Sequence, residues 1–181
     1  MGLDTLEAIR TRRVAQNYAE TPVPEKDLWT ILEAARWAPT AGNRRIHRFV
    51  CVNDRSLLLE IKMFFPGMTH GLPAALIVIC IDTNTIIKPL LNIGNSYEPY
   101  IDVGVAAQNM LLAAHALGLV AGPMTSFSKD AMQVLLNLPD NINPHMCIGV
   151  GYHAELPAHT RRWPKKKLRV EDLVQWGPYP D

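Results

Sequence analysis

No stretch of this 181-residue sequence approaches the ~20 consecutive apolar residues of a membrane-spanning helix. At the amino end Leu3, Leu6 and Ile9 are separated by charges, so no secretory h-region is present. These absences point away from membrane and export and make the cytoplasm the expected compartment. Cysteine is scarce. Cys51, Cys80 and Cys147 are odd in number, widely spaced and set in apolar runs, which reads as reduced, buried thiols in a reducing compartment. There is no C-x-x-C, HExxH, GxSxG or P-loop, and the six histidines do not fall at metal-ligand spacings. These gaps exclude the commonest zinc, serine-hydrolase and NTPase chemistries, and no metal is expected. Gly149-Val150-Gly151 is a GxG without the second half of a dinucleotide fingerprint, and no helix pattern follows it. A strong net charge is also missing: the formal value is +1.

Against that neutral total, one segment stands out. Arg161 to Arg169 holds six basic residues in nine. Removing them from the 18 Lys and Arg leaves 12 against 17 Asp and Glu, a basic tail on a mildly acidic body. Hydrophobic residues make up 48% of the chain, enough for one packed domain spanning 1–181. Asp4 with Glu7 resembles a capping box and opens a short first helix. Pro24 suits the first turn of a second helix, where Leu28, Ile31, Leu32 and Ala35 recur at helical spacing until Pro39. Thr40-Ala41-Gly42-Asn43 reads as a turn, and Phe49–Val52 as a strand. Asp54 or Ser56 caps a helix running to Phe65. Ala74–Ile81 is a continuous apolar run of strand length, a central strand buried on both faces. Residues 83–98 read as a loop or short lid. Tyr100–Leu117 is the longest helix, apolar almost all round and closed by Gly118, so part of its cover is expected from a second subunit. Short strands follow at Leu119–Ala121 and Met146–Tyr152, with a helix near Ser128–Leu136 between them and a short helical piece at Glu171–Val174. The mixture lacks a βαβα rhythm and argues an α+β fold.

Two polar clusters remain: Ile9-Arg10-Thr11-Arg12-Arg13-Val14-Ala15-Gln16-Asn17-Tyr18, a basic knot at a helix end, and Ala38-Pro39-Thr40-Ala41-Gly42-Asn43-Arg44-Arg45-Ile46-His47-Arg48-Phe49, a polar turn leading into a strand. Each alone has a structural reading, as a basic helix end and a plain turn. Together, in this order, they resemble the nitroreductase family of flavoproteins. That family opens with a helix ending Arg-Arg-Ser-x-Arg-x-Phe and then carries Ala-Pro-Ser-x-x-Asn-x-Gln-Pro-Trp before a strand. Its long helix has the form Asp-x-Gly-x-Ala-x-Gln-Asn-Leu-x-Leu-Ala-Ala-x-x-Leu-Gly-Leu, matched here by Asp102 through Leu119. Ile148-Gly149-Val150-Gly151-Tyr152, the basic run and Val170-Glu171-Asp172-Leu173-Val174-Gln175-Trp176 are similar to the family's closing segments.

The resemblance implies a nitroreductase-like fold, with a central mixed or antiparallel sheet flanked by helices. It implies an intertwined homodimer whose carboxyl-terminal tail, about 153–181, wraps the partner. It implies FMN as cofactor, NADH or NADPH as electron donor, and a small-molecule electron acceptor such as a nitro compound, quinone or other conjugated electrophile. No side chain need act as nucleophile. Arg12 and Arg13 are expected on the FMN phosphate, since the planar guanidinium fork matches phosphate oxygens. Lys167, with Lys165, closes on the same phosphate. Pro39, Thr40, Ala41, Asn43 and Arg45 lie along the cofactor, supplied by the other subunit. Four departures stand out. Val14 replaces a usual Ser, Gln16 stands where the family often has Arg or Lys, and Ile46-His47 replaces Pro-Trp. Arg45 is the expected substitute for the cation missing at Gln16, since a nearby positive charge favours reduction of a flavin. Phe64 and Phe65 are candidate pocket walls. Two other readings of these residues are an FMN-storing or redox-sensing protein with little turnover, and a nucleic-acid-binding domain using 161–169.

Overall fold

The computed structural model describes residues 4–15, 17–68, 71–85, 97–155 and 168–178. Its elements in chain order are α1 (Thr5–Thr11), α2 (Glu25–Arg36), β1 (His47–Val52), α3 (Arg55–Met63), β2 (Ala75–Asp82), α4 (Glu98–Ala116), β3 (Val120–Met124), α5 (Lys129–Leu135) and β4 (Ile142–Gly151). Short 3-10 turns occur at Ala41–Asn43, Thr83–Thr85 and Val170–Asp172. The strands form one antiparallel sheet in the order β1-β2-β4-β3. This is the antiparallel member of the expected pair of sheet types. Among the described residues, no helix is long and apolar enough to cross a membrane.

All eight residues of β2 are buried, because it runs between β1 and β4 with helices on both faces. Alternate side chains divide between two cores, as the strand period of two requires. Ile77, Ile79 and Ile81 join α2 and α4 through Leu28, Ile31, Val103 and Met110. Leu76, Val78 and Cys80 join α3 and α5 through Leu58, Ile61 and Met132. Phe65 belongs to this second core, 2% exposed and packed on Phe127 at 5.3 Å, while Phe64 is half exposed. The expectation that both wall a pocket therefore fails for Phe65, whose ring is spent on the core.

Several boundaries move for identifiable reasons. Pro24 stands just before α2 as its N-cap, and the helix ends at Arg36, three residues ahead of Pro39. The helix expected from Tyr100 begins earlier, at Glu98, because Pro99 is tolerated in the first turn. β4 begins at Ile142, four residues before the expected strand, since Ile142 and Asn143 pair with Asp82 and Ile81 across a register shift. Asp54 supplies the α3 cap through Leu57 N–H. Helix α4 buries Asp102, Val103, Ala106, Ala107, Met110, Leu111 and Ala114. Its other side leaves Ile101, Gly104 and Gln108 exposed, with Val105 and Leu112 half-buried.

The segment after α1 is fastened to the far edge of the sheet. Val14 bridges Ala121 in parallel, and Ala15 N–H donates to Ala121 O at 3.0 Å. Tyr18 bridges His153, and its hydroxyl donates to Gly149 O at 3.3 Å. A Cβ at position 149 would stand 2.6 Å from that hydroxyl, so glycine is required to seat the tyrosine. The Ile148–Tyr152 motif is thus the socket for the loop that follows Arg12 and Arg13.

Candidate functional site

Helix α1 is exposed along most of its length and buries only Ala8. It is held at its end by Thr11, whose hydroxyl lies 2.7 Å from Glu7 O and 2.8 Å from His115 Nε2 on the last turn of α4. Arg12 is the next residue and terminates the helix with extended backbone angles. Its Nε and Nη1 are buried, yet find no hydrogen-bond partner among the described residues. A buried guanidinium left without acceptors is costly unless an anion completes it. Arg13 turns back instead, donating from Nη1 to the carbonyls of Arg10 and Arg12 at 2.8 and 2.9 Å. Val14 is half exposed beside β3. Gln16, Lys165 and Lys167 lie outside the described residues.

The second cluster packs at the opposite end of α4. The turn begins at Thr40, and Ala41 N–H donates to both carboxylate oxygens of Asp102 at 3.1 Å. Asp102 is only 6% exposed, an acidic group inside an apolar helix. Its role as the anchor of the turn was not assigned from sequence, although a lone carboxylate in so apolar a helix is a visible signal. Pro39, Thr40 and Ala41 line a cavity of about 290 Å3 with Ile101, Asp102 and Val105. Asn43 and Arg45 both adopt positive φ, 53° and 52°. Arg45 donates from Nε to Asn43 Oδ1 at 3.0 Å and from Nη1 to Arg36 O at 2.8 Å, so its charge complements the carboxyl end of α2. Thr40 Oγ1 accepts from Arg45 N–H at 3.2 Å.

His47 sits just behind this turn, and its Nε2 is buried without a partner among the described residues. Burial pushes its pKa below the ordinary histidine value, and the charge of Asp102 opposes that shift in part. Ile46 is buried, and its carbonyl accepts from Asp82 N–H at 2.9 Å. Outside the turn, β1 is an edge strand. A cleft of about 560 Å3 runs between it and α2, bordered by Trp29, Leu32, Arg36, His47, Phe49 and Cys51. No group of three or more metal-ligating side chains occurs among the described residues.

The structure therefore brings Pro39, Thr40, Ala41, Asn43 and Arg45 together, and holds Arg12, Arg13 and Val14 together elsewhere. Within one chain the two groups are anchored at Asp102 and at His115, thirteen residues apart on α4, or about 20 Å along a helix.

The chain is similar to known proteins over most of its length. The nitroreductase family model matches residues 9–85 and 68–152. A relative from Methanothermobacter thermautotrophicus, named NADH dehydrogenase/NAD(P)H nitroreductase, is 33% identical over 176 residues, covering 93% of this chain and 87% of the relative. A solved structure of the same name from Bacteroides thetaiotaomicron superposes with a TM-score of 0.77 at 27% identity, over 99% of this chain and 100% of that one. An FMN-dependent nitroreductase from Clostridium difficile shares the fold at 20% identity and TM-score 0.77, over 97% of this chain and 100% of that one. On these matches, the chain belongs to the nitroreductase family.

Proposed function

We propose that this protein is an FMN-dependent oxidoreductase that accepts hydride from NADH or NADPH. It then passes electrons to nitro compounds, quinones or similar electrophiles at a shared site in a homodimer. The observation that carries the reading is Arg12, whose buried Nε and Nη1 lack acceptors. A phosphate oxygen pair supplies what a guanidinium fork needs, so the residue fits the terminal phosphate of FMN. The names of the relatives, NAD(P)H nitroreductase and FMN-dependent nitroreductase, support the same chemistry.

When bound, FMN supplies the hydride and electron transfer, and the polypeptide binds, orients and shields it. Arg12 would hold the phosphate from the end of α1, and Arg13, turned back onto the Arg10 and Arg12 carbonyls, would add its charge beside it. Lys165 and Lys167 add charge from the tail. Pro39, Thr40 and Ala41 form a wall along the ring, with the Ala41 backbone fixed by Asp102. Asn43 and Arg45 would offer polar groups from the same turn, and Arg45, next to Arg44, is the candidate for the charge missing at Gln16.

The spacing on α4 supports the composite site. If two copies of α4 cross antiparallel near Gln108, the His115 end of one meets the Asp102 end of the other. Arg12 of one protomer then faces the Thr40–Ala41 turn of its partner. The exposed strip Ile101, Gly104 and Gln108 suits such a crossing, and an ideal Cβ at Gly104 meets nothing within 4 Å. The tail carries exposed Leu168, Val170, Leu173 and Trp176, which need cover. The outer edge of β1, which pairs with no strand among the described residues, and its cleft would offer that cover on the partner.

Anaerobic mixing of the FMN-loaded protein with NADH, then NADPH, tests the reading. The expected result is rapid loss of the visible flavin absorbance and its return on adding a quinone or nitro compound. A bound flavin that neither nucleotide reduces would identify a storage or sensing protein instead.

A further inference from the structure

We propose that the cavity beside the first turn of α4, between the start of β4 and α5, is an anion subsite that takes the carboxylate of an aromatic electron acceptor. The cavity holds about 400 Å3, within the range of small-molecule sites, and its wall includes Ile81, Pro99, Tyr100, Lys129, Asn143 and His145. It opens because β3 stops at Met124, paired with Cys147, so among the described residues the earlier part of β4 has no strand on that side.

Lys129 Nζ lies 3.3 Å from His145 Nδ1, and the Tyr100 ring meets the imidazole edge-on at 5.1 Å. An ammonium can only donate, so Nδ1 accepts and the ring proton resides on Nε2. Burial, with Lys129 adding to it, pushes the His145 pKa down to about 4, so the imidazole is neutral at pH 7. The result is one cation with protons to spare, a neutral N–H donor, an amide and a phenol in one concavity. None of its described lining residues is acidic. That donor set suits an anionic oxygen group, and Ile81, Pro99 and Tyr100 give apolar surface for a ring.

The place on α4 ties the cavity to the reaction. Pro99 and Tyr100 line it, while Ile101 and Asp102 line the Thr40–Ala41 cavity across the same helical turn. A helix with its side chains is about 10–12 Å thick, so the Tyr100 wall of the one cavity and the Ile101 wall of the other stand about one helix width apart. The acceptor assignment rests on the oxidoreductase reading above. The anion subsite itself does not.

Two measurements on the protein as purified separate these. In the first, benzoate and its neutral counterpart benzamide are titrated while the His145 ring is followed by NMR. The expected result is a saturable shift with benzoate, none with benzamide, and about fivefold or more weaker benzoate binding in Lys129→Met. In the second, kcat/KM for 4-nitrobenzoate is divided by that for 4-nitrobenzamide. Each nitro group takes two electrons and one proton as hydride equivalent from NADH plus one solvent proton, leaving as nitroso and water. The ratio is expected to exceed one and to fall in Lys129→Met and His145→Gln by a similar factor. Benzoate binding that leaves His145 unmoved, or that Lys129→Met does not weaken, would overturn the subsite. A benzoate shift in a protein that reduces neither nitro compound would support the subsite and contradict the oxidoreductase reading.

Discussion

Arg12 is the residue on which the functional account turns. Its position follows from a contact distant in sequence and a helix end: Thr11 is tied to His115, α1 stops, and the next side chain is left with buried donors that nothing else among the described residues uses. Arg12→Ala is therefore expected to weaken FMN binding by about ten- to a hundredfold, from charge-assisted bonds of ~1.5–3 kcal/mol each. Arg12→Lys should restore part of the loss, because an ammonium keeps the charge and loses the fork. Arg10→Ala should leave the affinity near that of wild type, since the neighbouring contact uses the backbone carbonyl of Arg10. Titration with FMN at fixed salt reads all three. His145 gives a second test at this scale. Its pKa falls from 6.5 to about 4 on folding, so the unfolded chain binds the extra proton between those values. Its contribution to stability is complete above pH 6.5 and is lost as pH falls from 6.5 toward 4. His145→Gln should flatten the pH dependence of the denaturation midpoint in that window, and an unchanged slope would show that the ring is not held neutral.

At the scale of elements, α4 works as a ruler and β4 as a socket. The ruler fixes the two clusters about 20 Å apart, through Asp102 near one end and His115 near the other. The socket fixes the loop after Arg12. Gly149→Ala would put a methyl 2.6 Å from the Tyr18 hydroxyl and 3.1 Å from the Met124 side chain. The expected cost is about 1–3 kcal/mol, read as a lower thermal midpoint, with weaker FMN binding because the displaced loop carries the arginines. A wild-type midpoint would mean that Tyr18 shifts freely. Most elements were legible in the sequence because their signals are local. The apolar run Ala74–Ile81 that becomes β2, the helical spacing of α2 and the cap at Asp54 all have physical meaning within a few residues. Contacts distant in sequence were not legible. Nothing local links Thr11 to His115, Tyr18 to Gly149, or the Ala41 amide to Asp102. Arg45 could be read from sequence as a free cation, because its bond to Arg36 O depends on where α2 ends. Phe65 likewise reads as a pocket wall until Phe127 is folded against it.

For the whole molecule, the unfinished surfaces point to a second copy. The strip on α4, the edge of β1 that has no strand partner among the described residues, and the exposed apolar side chains of residues 168–178 are the surfaces the proposed dimer would cover. An obligate dimer interface commonly buries ~2,000 Å2 or more, so sedimentation at micromolar concentration should show a dimer. Removal of residues 168–181 should weaken that dimer and its hold on FMN together. A stable, FMN-loaded monomer would contradict the composite site. The central claim, that this fold is built around FMN, is tested most directly by the flavin itself. The protein is expected to purify yellow, or to take up added FMN with a change in flavin fluorescence, and to release FMN and not FAD on denaturation. A colourless protein that does not take up added FMN would contradict the account.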